Sequence, residues 1–355
     1  MSGIERPHAA PRDSVEIELV GLWSQVLETQ DIGIHDNFFD LGGHSLLAIQ
    51  LVSRVRRELK VDLLPDDLLA AGTVAEMATL VRSGRAASPY HPMVHIRPGG
   101  ERRLVAFPPV SGTLGLYGQT SRHLHASWDV WGVQSLGLLP GEEPLLDLSA
   151  IASRDLAAMD ALGSGGPWNL VGYSMGGLLA LEVARQLCER GDEVGQVFLL
   201  DTRPTVEDTD DGLDFALRAL LFRALHIDVD VDWLRGLDEE TRAAELLTRS
   251  VEAGTMPPDF DPERLRRLVD MYQHNLRALV AHDLQPVPVS VDVMRVTDRS
   301  LDEGPLPDDL GWPRWATGGA RVHDVPGNHF TMVDPENAPA LAAAIDASVP
   351  AAVAG

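Results

Sequence analysis

Cysteine and lysine are nearly missing from this chain of 355 residues: there is one thiol, Cys188, and one lysine, Lys60, among 29 basic residues. A single thiol excludes a disulfide framework and a thiolate metal site, so no metal is expected, and it fits a reducing, cytoplasmic setting. Cys188 lies in a helical pattern beside Leu187 and reads as a core residue. No stretch of about 18 apolar residues occurs, so no membrane-spanning helix is expected. A cationic N-terminal segment followed by an apolar run is also absent, so no signal peptide is expected. Positive charge is scarce: 29 Lys and Arg stand against 53 Asp and Glu, a net charge of −24. That balance repels phosphate backbones and anionic lipid and argues against nucleic-acid and membrane-surface roles. The hydrophobic fraction, 45%, is nevertheless enough for packed cores. The length is comfortable for two domains.

The pattern of apolar residues changes once along the chain. Residues 1–12 form a polar, proline-containing leader. From 13 to 82 only helical spacing occurs, giving a small all-α domain. Val15, Leu19, Leu22, Val26 and Leu27 mark a first helix over Ser14–Glu28, and Asp13 or Ser14 can cap it. A second helix starts at about Ser45, with Leu46, Ile49, Val52 and Val55 on one face. Thr73 with Glu76 forms a capping box that opens a third through Val81. Residues 83–92 read as a linker; ten extended residues reach at most about 35 Å. From 93 to 348 short strands alternate with helices, which predicts a mostly parallel α/β sheet. The strands are Leu104–Phe107, Val130–Val133, Trp168–Val171, Gln196–Leu200, Val289–Val296 and Arg321–Val325. Helices are predicted at 149–162, 175–190 and 335–347. Residues 205–285 interrupt the alternation with charged, helical sequence and read as a lid over the sheet. Residues 349–355 are a tail.

Two serines carry chemistry. Ser45 follows Gly42-Gly43-His44 and stands at a helix start, where a serine is often no more than a cap. Ser174 lies in Gly172-Tyr173-Ser174-Met175-Gly176-Gly177, between a predicted strand and an apolar helix. That strand–turn–helix context makes a G-x-S-x-G match meaningful, because the turn lifts the hydroxyl out of the sheet. Such a hydroxyl needs a base, and the base needs an acid to orient it. His329, in a loop after the last predicted strand, is the base expected in that chain order. His323 lies within the strand and is the weaker choice, and His274 and His282 fall in the helical insertion. Two acids are available: Asp201 after the strand ending at Leu200, and Asp298 after Val289–Val296.

The segment Asp36-Asn37-Phe38-Phe39-Asp40-Leu41-Gly42-Gly43-His44-Ser45-Leu46 resembles the attachment site of peptidyl carrier domains of nonribosomal peptide synthetases. The resemblance covers about 13–82, including Trp23 and Thr73-Val74-Ala75-Glu76-Met77; Gly72 departs from the usual proline. It implies a four-helix-type bundle with 4′-phosphopantetheine on Ser45. Residues 93–348 resemble the terminal thioesterase domains of the same synthetases, α/β hydrolases with a helical lid. There the acid follows the earlier strand, which favours Asp201. The likeness also implies anion-stabilising N–H groups at Met175 and, in the loop Phe107–Gly112, at Val110.

The implied function is terminal release in secondary-metabolite and antibiotic biosynthesis. A peptidyl thioester passes from Ser45 to Ser174 and leaves by hydrolysis or macrocyclisation. Implied partners are upstream condensation and adenylation domains and a phosphopantetheinyl transferase. The leader at Arg6–Arg12 resembles the junction after an adenylation domain. Competing readings are a free or editing esterase and a carrier module with an inactive hydrolase fold.

Overall fold

A computed structural model describes residues 9–84 apart from 44, 62 and 66, and 92–204 apart from 138–141 and 164–165. It further describes 227, 230, 232, 233, 236–254, 256, 258, and 260–349 apart from 301–306. His44, most of the predicted linker and the first part of the predicted lid therefore lie outside the described residues. The chain divides into two compact units, Met1–His91 with Arg218–Pro262, and Pro92–Leu217 with Glu263–Gly355.

In the first unit, Asp13 accepts from the Glu16 N–H at 3.0 Å and starts α1 (Ser14–Leu27), satisfying one of the donors a helix start leaves free. The helix stops at Glu28 in the left-handed region, φ 51°. Its apolar face buries Leu19, Leu22, Trp23 and Val26. Trp23 meets the Phe38 ring edge-on at 5.2 Å, and its Nε1 points at Met77 Sδ, 3.5 Å away. These contacts join α1, the following loop and the last helix, and Trp23→Ala would cost about 3–5 kcal/mol. Two further helices are α2 (Ser45–Leu59) and α3 (Asp67–Ala70). The latter is not marked by the apolar spacing, though the four-helix-type bundle that the resemblance implies calls for it; at its start Asp67 accepts from the Leu64 N–H at 2.8 Å. The capping box of Thr73 and Glu76 opens α4 (Val74–Arg82), as the sequence predicts.

Arg82 ties the end of α4 to Asp13 at 2.5 Å and to the buried Glu16 at 3.1 Å, and Arg12 also meets Glu16 at 2.6 Å. Hydrogen bonds from Arg12, joined by Arg82, hold the Glu16 carboxyl down at about 2 against the opposing effect of desolvation. The same unit includes α8 (Glu239–Glu252), capped by Asp238, and a 2.9 Å ion pair from Arg56 of α2 to Asp261.

The second unit is built on a seven-stranded sheet in the order β1-β3-β2-β4-β5-β6-β7. Its strands are β1 (Met93–Arg97), β2 (Arg102–Phe107), β3 (Trp128–Val133), β4 (Trp168–Tyr173), β5 (Val194–Leu200), β6 (Ser290–Val296) and β7 (Gly319–Val325). All neighbours run parallel except β1 with β3. The central strands are apolar on both faces, as a sheet covered by helices on both sides requires. Between them run α5 (Gly115–His123), α6 (Leu148–Asp160), α7 (Met175–Arg190) and α9 (Pro262–Ala281), and α10 (Ala338–Ser348) follows β7. Of these, α7 is buried over most of its length and packs against β2, β4 and β5. Cys188 is partly buried against this core, as expected, and burial raises its thiol pKa.

The edge strand β1 and helix α5 were not expected. β1 is five residues with His95 and Arg97 in it, and its pairing rests on β3 rather than on an apolar pattern. Helix α5 contains Gly115 and Gly118, poor helix formers, and is held by burial of Tyr117, Gly118, Thr120 and Ser121. Among the described residues no helix is long and apolar enough to cross a membrane, and no group of three or more His, Cys, Asp or Glu could hold a metal.

Candidate active site

Strand β4 ends at Tyr173 and α7 begins at Met175, leaving Ser174 alone at the corner with φ 56° and ψ −124°. A serine pays a steric cost of roughly 1–3 kcal/mol there, which neighbours must hold in place. They do so from β5: the Ser174 N–H donates to Leu200 O at 3.1 Å, and Thr202 Oγ1 donates to Ser174 O at 3.0 Å. The flanking glycines are required by close approach. A Cβ on Gly172 would collide with the Gly176 carbonyl, and one on Gly176 with the carbonyl of Phe107. The start of α7 is thus pressed against the end of β2; the Gly177 N–H turns back to Ser174 O at 3.0 Å, and Met175 is the first residue of the helix, where N–H groups lack intrahelical partners.

Asp201 follows β5, is 7% exposed and has φ 43°. Its N–H is held by Met294 O at 2.8 Å, and its Oδ2 lies 2.7 Å from His329 Nδ1. With the carboxylate as partner, Nδ1 carries the proton and Nε2 is left as the basic nitrogen. The imidazole has two aromatic neighbours: Tyr173 stacks on it at 5.1 Å and Phe330 meets it edge-on at 5.2 Å. Tyr173 Oη also donates to His329 O at 2.6 Å, so the residue beside Ser174 clamps the histidine loop. Asp298, the other candidate acid, is exposed and serves that loop differently. Its N–H donates to Gly327 O at 3.0 Å and its carboxylate accepts from Ser300 N–H at 3.0 Å; the Ser300 hydroxyl first, and this N–H with it, hold its pKa down.

Residues 102–349 match the family model described as a thioesterase domain, more than half of the chain. The chain belongs to the thioesterase family. Ahead of this thioesterase domain, residues 18–81 match the model of a phosphopantetheine attachment site, so the chain is a carrier followed by an enzyme domain acting on thioesters. The whole is 29% identical over 331 residues to a dimodular nonribosomal peptide synthase of Bacillus subtilis (strain 168), covering 92% of this chain and 14% of that one. It superposes on a four-domain nonribosomal peptide synthetase, holo-AB3403 bound to AMP and glycine, with a TM-score of 0.69 and 29% identity, over 99% of this chain and 27% of that one. The Vlm2 thioesterase domain shares the fold: TM-score 0.52, 24% identity, 72% of this chain and 97% of that one. The chain therefore spans only a small part of the length of the synthetases it matches.

In the thioesterase domain the loop after β2 closes a turn, with the Gly112 N–H on Pro109 O at 2.8 Å, and it contains Val110. Sequence reasoning missed Tyr117, which is wholly buried where β2 and β4 end. Its hydroxyl donates to Phe107 O at 2.6 Å and accepts from the Tyr173 N–H at 2.9 Å. Burial raises its pKa far beyond the ordinary range for tyrosine. The aromatic in an otherwise glycine-rich, polar stretch was the available signal. Asn275 was missed too, because its partner is Val110, 165 residues away.

The other three candidate histidines have other surroundings. His323 pairs with the buried Asp292 at 2.8 Å, beside Arg321, and holds β6 to β7. His274 bonds the Asp270 carbonyl within α9, and His282 is partly buried just after that helix, its pKa lowered by desolvation.

On the carrier, Ser45 is the first residue of α2. Gly42 turns with φ 92°, and the Gly43 N–H donates to Phe38 O at 2.9 Å, with no room for a Cβ beside the Phe38 ring. A hydroxyl residue opening a helix after such a turn fits a phosphodiester linkage, since the first-turn N–H groups complement its charge.

Proposed function

We propose that this chain terminates the assembly of a nonribosomal peptide: a peptidyl thioester borne by the carrier at Ser45 is taken up by Ser174 and released. The observation that carries the reading is the 2.7 Å contact of Asp201 with His329, clamped by Tyr173 beside the strained Ser174. When 4′-phosphopantetheine is attached, its thiol holds the acyl group as a thioester. His329 Nε2 takes the Ser174 Oγ proton as the oxygen attacks the thioester carbonyl. Negative charge develops on the carbonyl oxygen and is met by the N–H groups of Met175 and Val110, a contribution worth about 3–4 kcal/mol per donor in such sites. Collapse breaks the C–S bond, and the imidazolium returns its proton to the departing sulfur. The acyl group is then an ester on Ser174. His329 next deprotonates water, which yields a linear acid, or an amine or hydroxyl of the peptide, which yields a ring; as the new bond forms the C–Oγ ester bond breaks, and the imidazolium returns the proton to Ser174 Oγ. Asp201 stays ionised and stabilises the imidazolium in each half.

The carrier spans about 13–82 and the hydrolase 93–348, with 205–285 as a lid shaping which nucleophile reaches the ester. The setting is cytoplasmic, where a phosphopantetheinyl transferase modifies Ser45 and upstream condensation and adenylation domains load it. The test is mass spectrometry of the modified protein loaded with peptidyl-pantetheine. An acyl group moving from the carrier to Ser174, together with labelling of Ser174 by a fluorophosphonate, is expected. An acyl group that stays on the carrier and a Ser174 that resists the probe in folded protein would mean an inactive hydrolase fold.

A further inference from the structure

We propose that Asn275, on α9 of the insertion, is a positioning residue for the Val110 anion-binding loop, so that the lid itself holds one of the two donors in register. The inference rests on the assignment of Val110 above.

The loop begins Phe107-Pro108-Pro109-Val110. Two consecutive prolines have no N–H, so the backbone cannot tie this stretch down by donating. It has to be held through its carbonyl oxygens. Two of these are fixed within the sheet unit by its own N-terminal part: Phe107 O by Tyr117 Oη at 2.6 Å, and Pro109 O by the Gly112 N–H at 2.8 Å. The carbonyl of Val110 itself accepts from Asn275 Nδ2 at 3.0 Å.

Asn275 is 5% exposed, so this bond is shielded from competing water. One helical turn earlier, Met271 packs on Gly112, which has φ 71° and lacks space for a Cβ against the thioether. The same face of α9 thus grips the loop at two points, on either side of Ser111. Losing the Asn275 bond frees rotation about the Val110 Cα–C bond and loosens the peptide plane next to the donor. An oxyanion donor acts only when aimed within a few tenths of an ångström, and misplacement of about 1 Å can lower a rate about 100-fold. A lid element that carries part of the alignment makes chemistry depend on where the insertion lies. A thioester that meets Ser174 while α9 is displaced faces a hole with one donor.

The test uses the full chain with Asn275→Ala and the isosteric Asn275→Asp, which removes the N–H donors without changing shape. Three quantities are measured on folded protein: turnover of a peptidyl N-acetylcysteamine thioester, affinity for a peptidyl boronic acid, and affinity for the matching peptide carboxamide. The boronic acid forms a tetrahedral adduct that puts an oxygen where the oxyanion develops; the carboxamide does not. Both variants are expected to lose about tenfold or more in kcat with KM little changed. Boronate affinity should fall in parallel, and carboxamide affinity should stay as in the parent. Unchanged boronate affinity in either variant would overturn the proposal. So would equal losses for boronate and carboxamide, which would make Asn275 a packing residue only. Ser174→Ala separates this from the function itself: parental turnover in that variant removes Ser174 as nucleophile, whatever Asn275 does.

Discussion

Ser45 and Ser174 each stand two residues after a glycine, Gly43 and Gly172, and lead into a helix, and the structure treats them differently. Ser174 is forced into the left-handed region and held there by Leu200, Thr202 and glycines pressed against backbone. Ser45 is the first residue of α2, and a positive torsion angle falls on Gly42, three residues earlier, which has open space around it. The difference fits the two tasks proposed above for these serines. A nucleophile must be aimed, so strain at the serine is tolerated and the surroundings over-determine it. An attachment point must be reached by a modifying enzyme, so the strain is passed to a residue that tolerates it.

The largest effect that would test this contrast is on turnover. Ser174→Ala should lower kcat for a diffusible thioester by about five orders of magnitude or more. Ser45→Ala should leave that rate unchanged and abolish the mass gain on treatment with a phosphopantetheinyl transferase. A parental rate in the first variant, or mass gain in the second, would break the division of roles. Next in size, Asp201→Asn should cost about 10³–10⁴ in kcat through loss of the histidine tautomer. Asp298→Ala should cost about tenfold or less, since it braces the loop without touching the imidazole. A reversal of those two would reassign the acid.

The glycines sharpen the contrast by their stability cost, read by denaturant unfolding followed separately for each unit. Gly172→Ala drives a Cβ into backbone and should destabilise the thioesterase unit by about 3 kcal/mol or more. Gly42→Ala meets only its torsional penalty, about 1 kcal/mol. Similar costs at both would mean that the two turns are equally constrained.

The smallest effect concerns pH. Glu16 has its folded pKa depressed to about 2 from an ordinary 4.5, so its stabilisation is complete above about 4.5 and is lost as pH falls towards 2. Glu16→Gln should flatten that part of the carrier's stability profile, followed by the Trp23 indole resonance. A profile unchanged from the parent would remove the arginine cluster as its cause.

Much of this was legible in the sequence because it depends on local pattern. The capping box at Thr73, the turn at Ser174 and the apolar strands around it each carry their signal within a few residues. Asp201 and His329 were placed by chain order and by likeness, and the contact between them is a property of the sheet. What was not legible depends on distant partners. Strand β1 exists because β3 offers an edge, and α5 forms despite two glycines because its inner face is buried. The bond from Asn275 to Val110 joins segments with no shared periodicity.

The hydroxyl of Tyr117 has a consequence beyond its two hydrogen bonds. It sits where β4, which leads to Ser174, and β2, which leads to the Val110 loop, stop pairing, and it bonds both. One oxygen atom therefore works as a shim between the two segments proposed to act together in catalysis, setting their spacing from beneath. Loops above a shimmed joint can be lengthened, shortened or exchanged without changing the gap they span. A scaffold with its gauge fixed below the surface is free to vary what it accepts above.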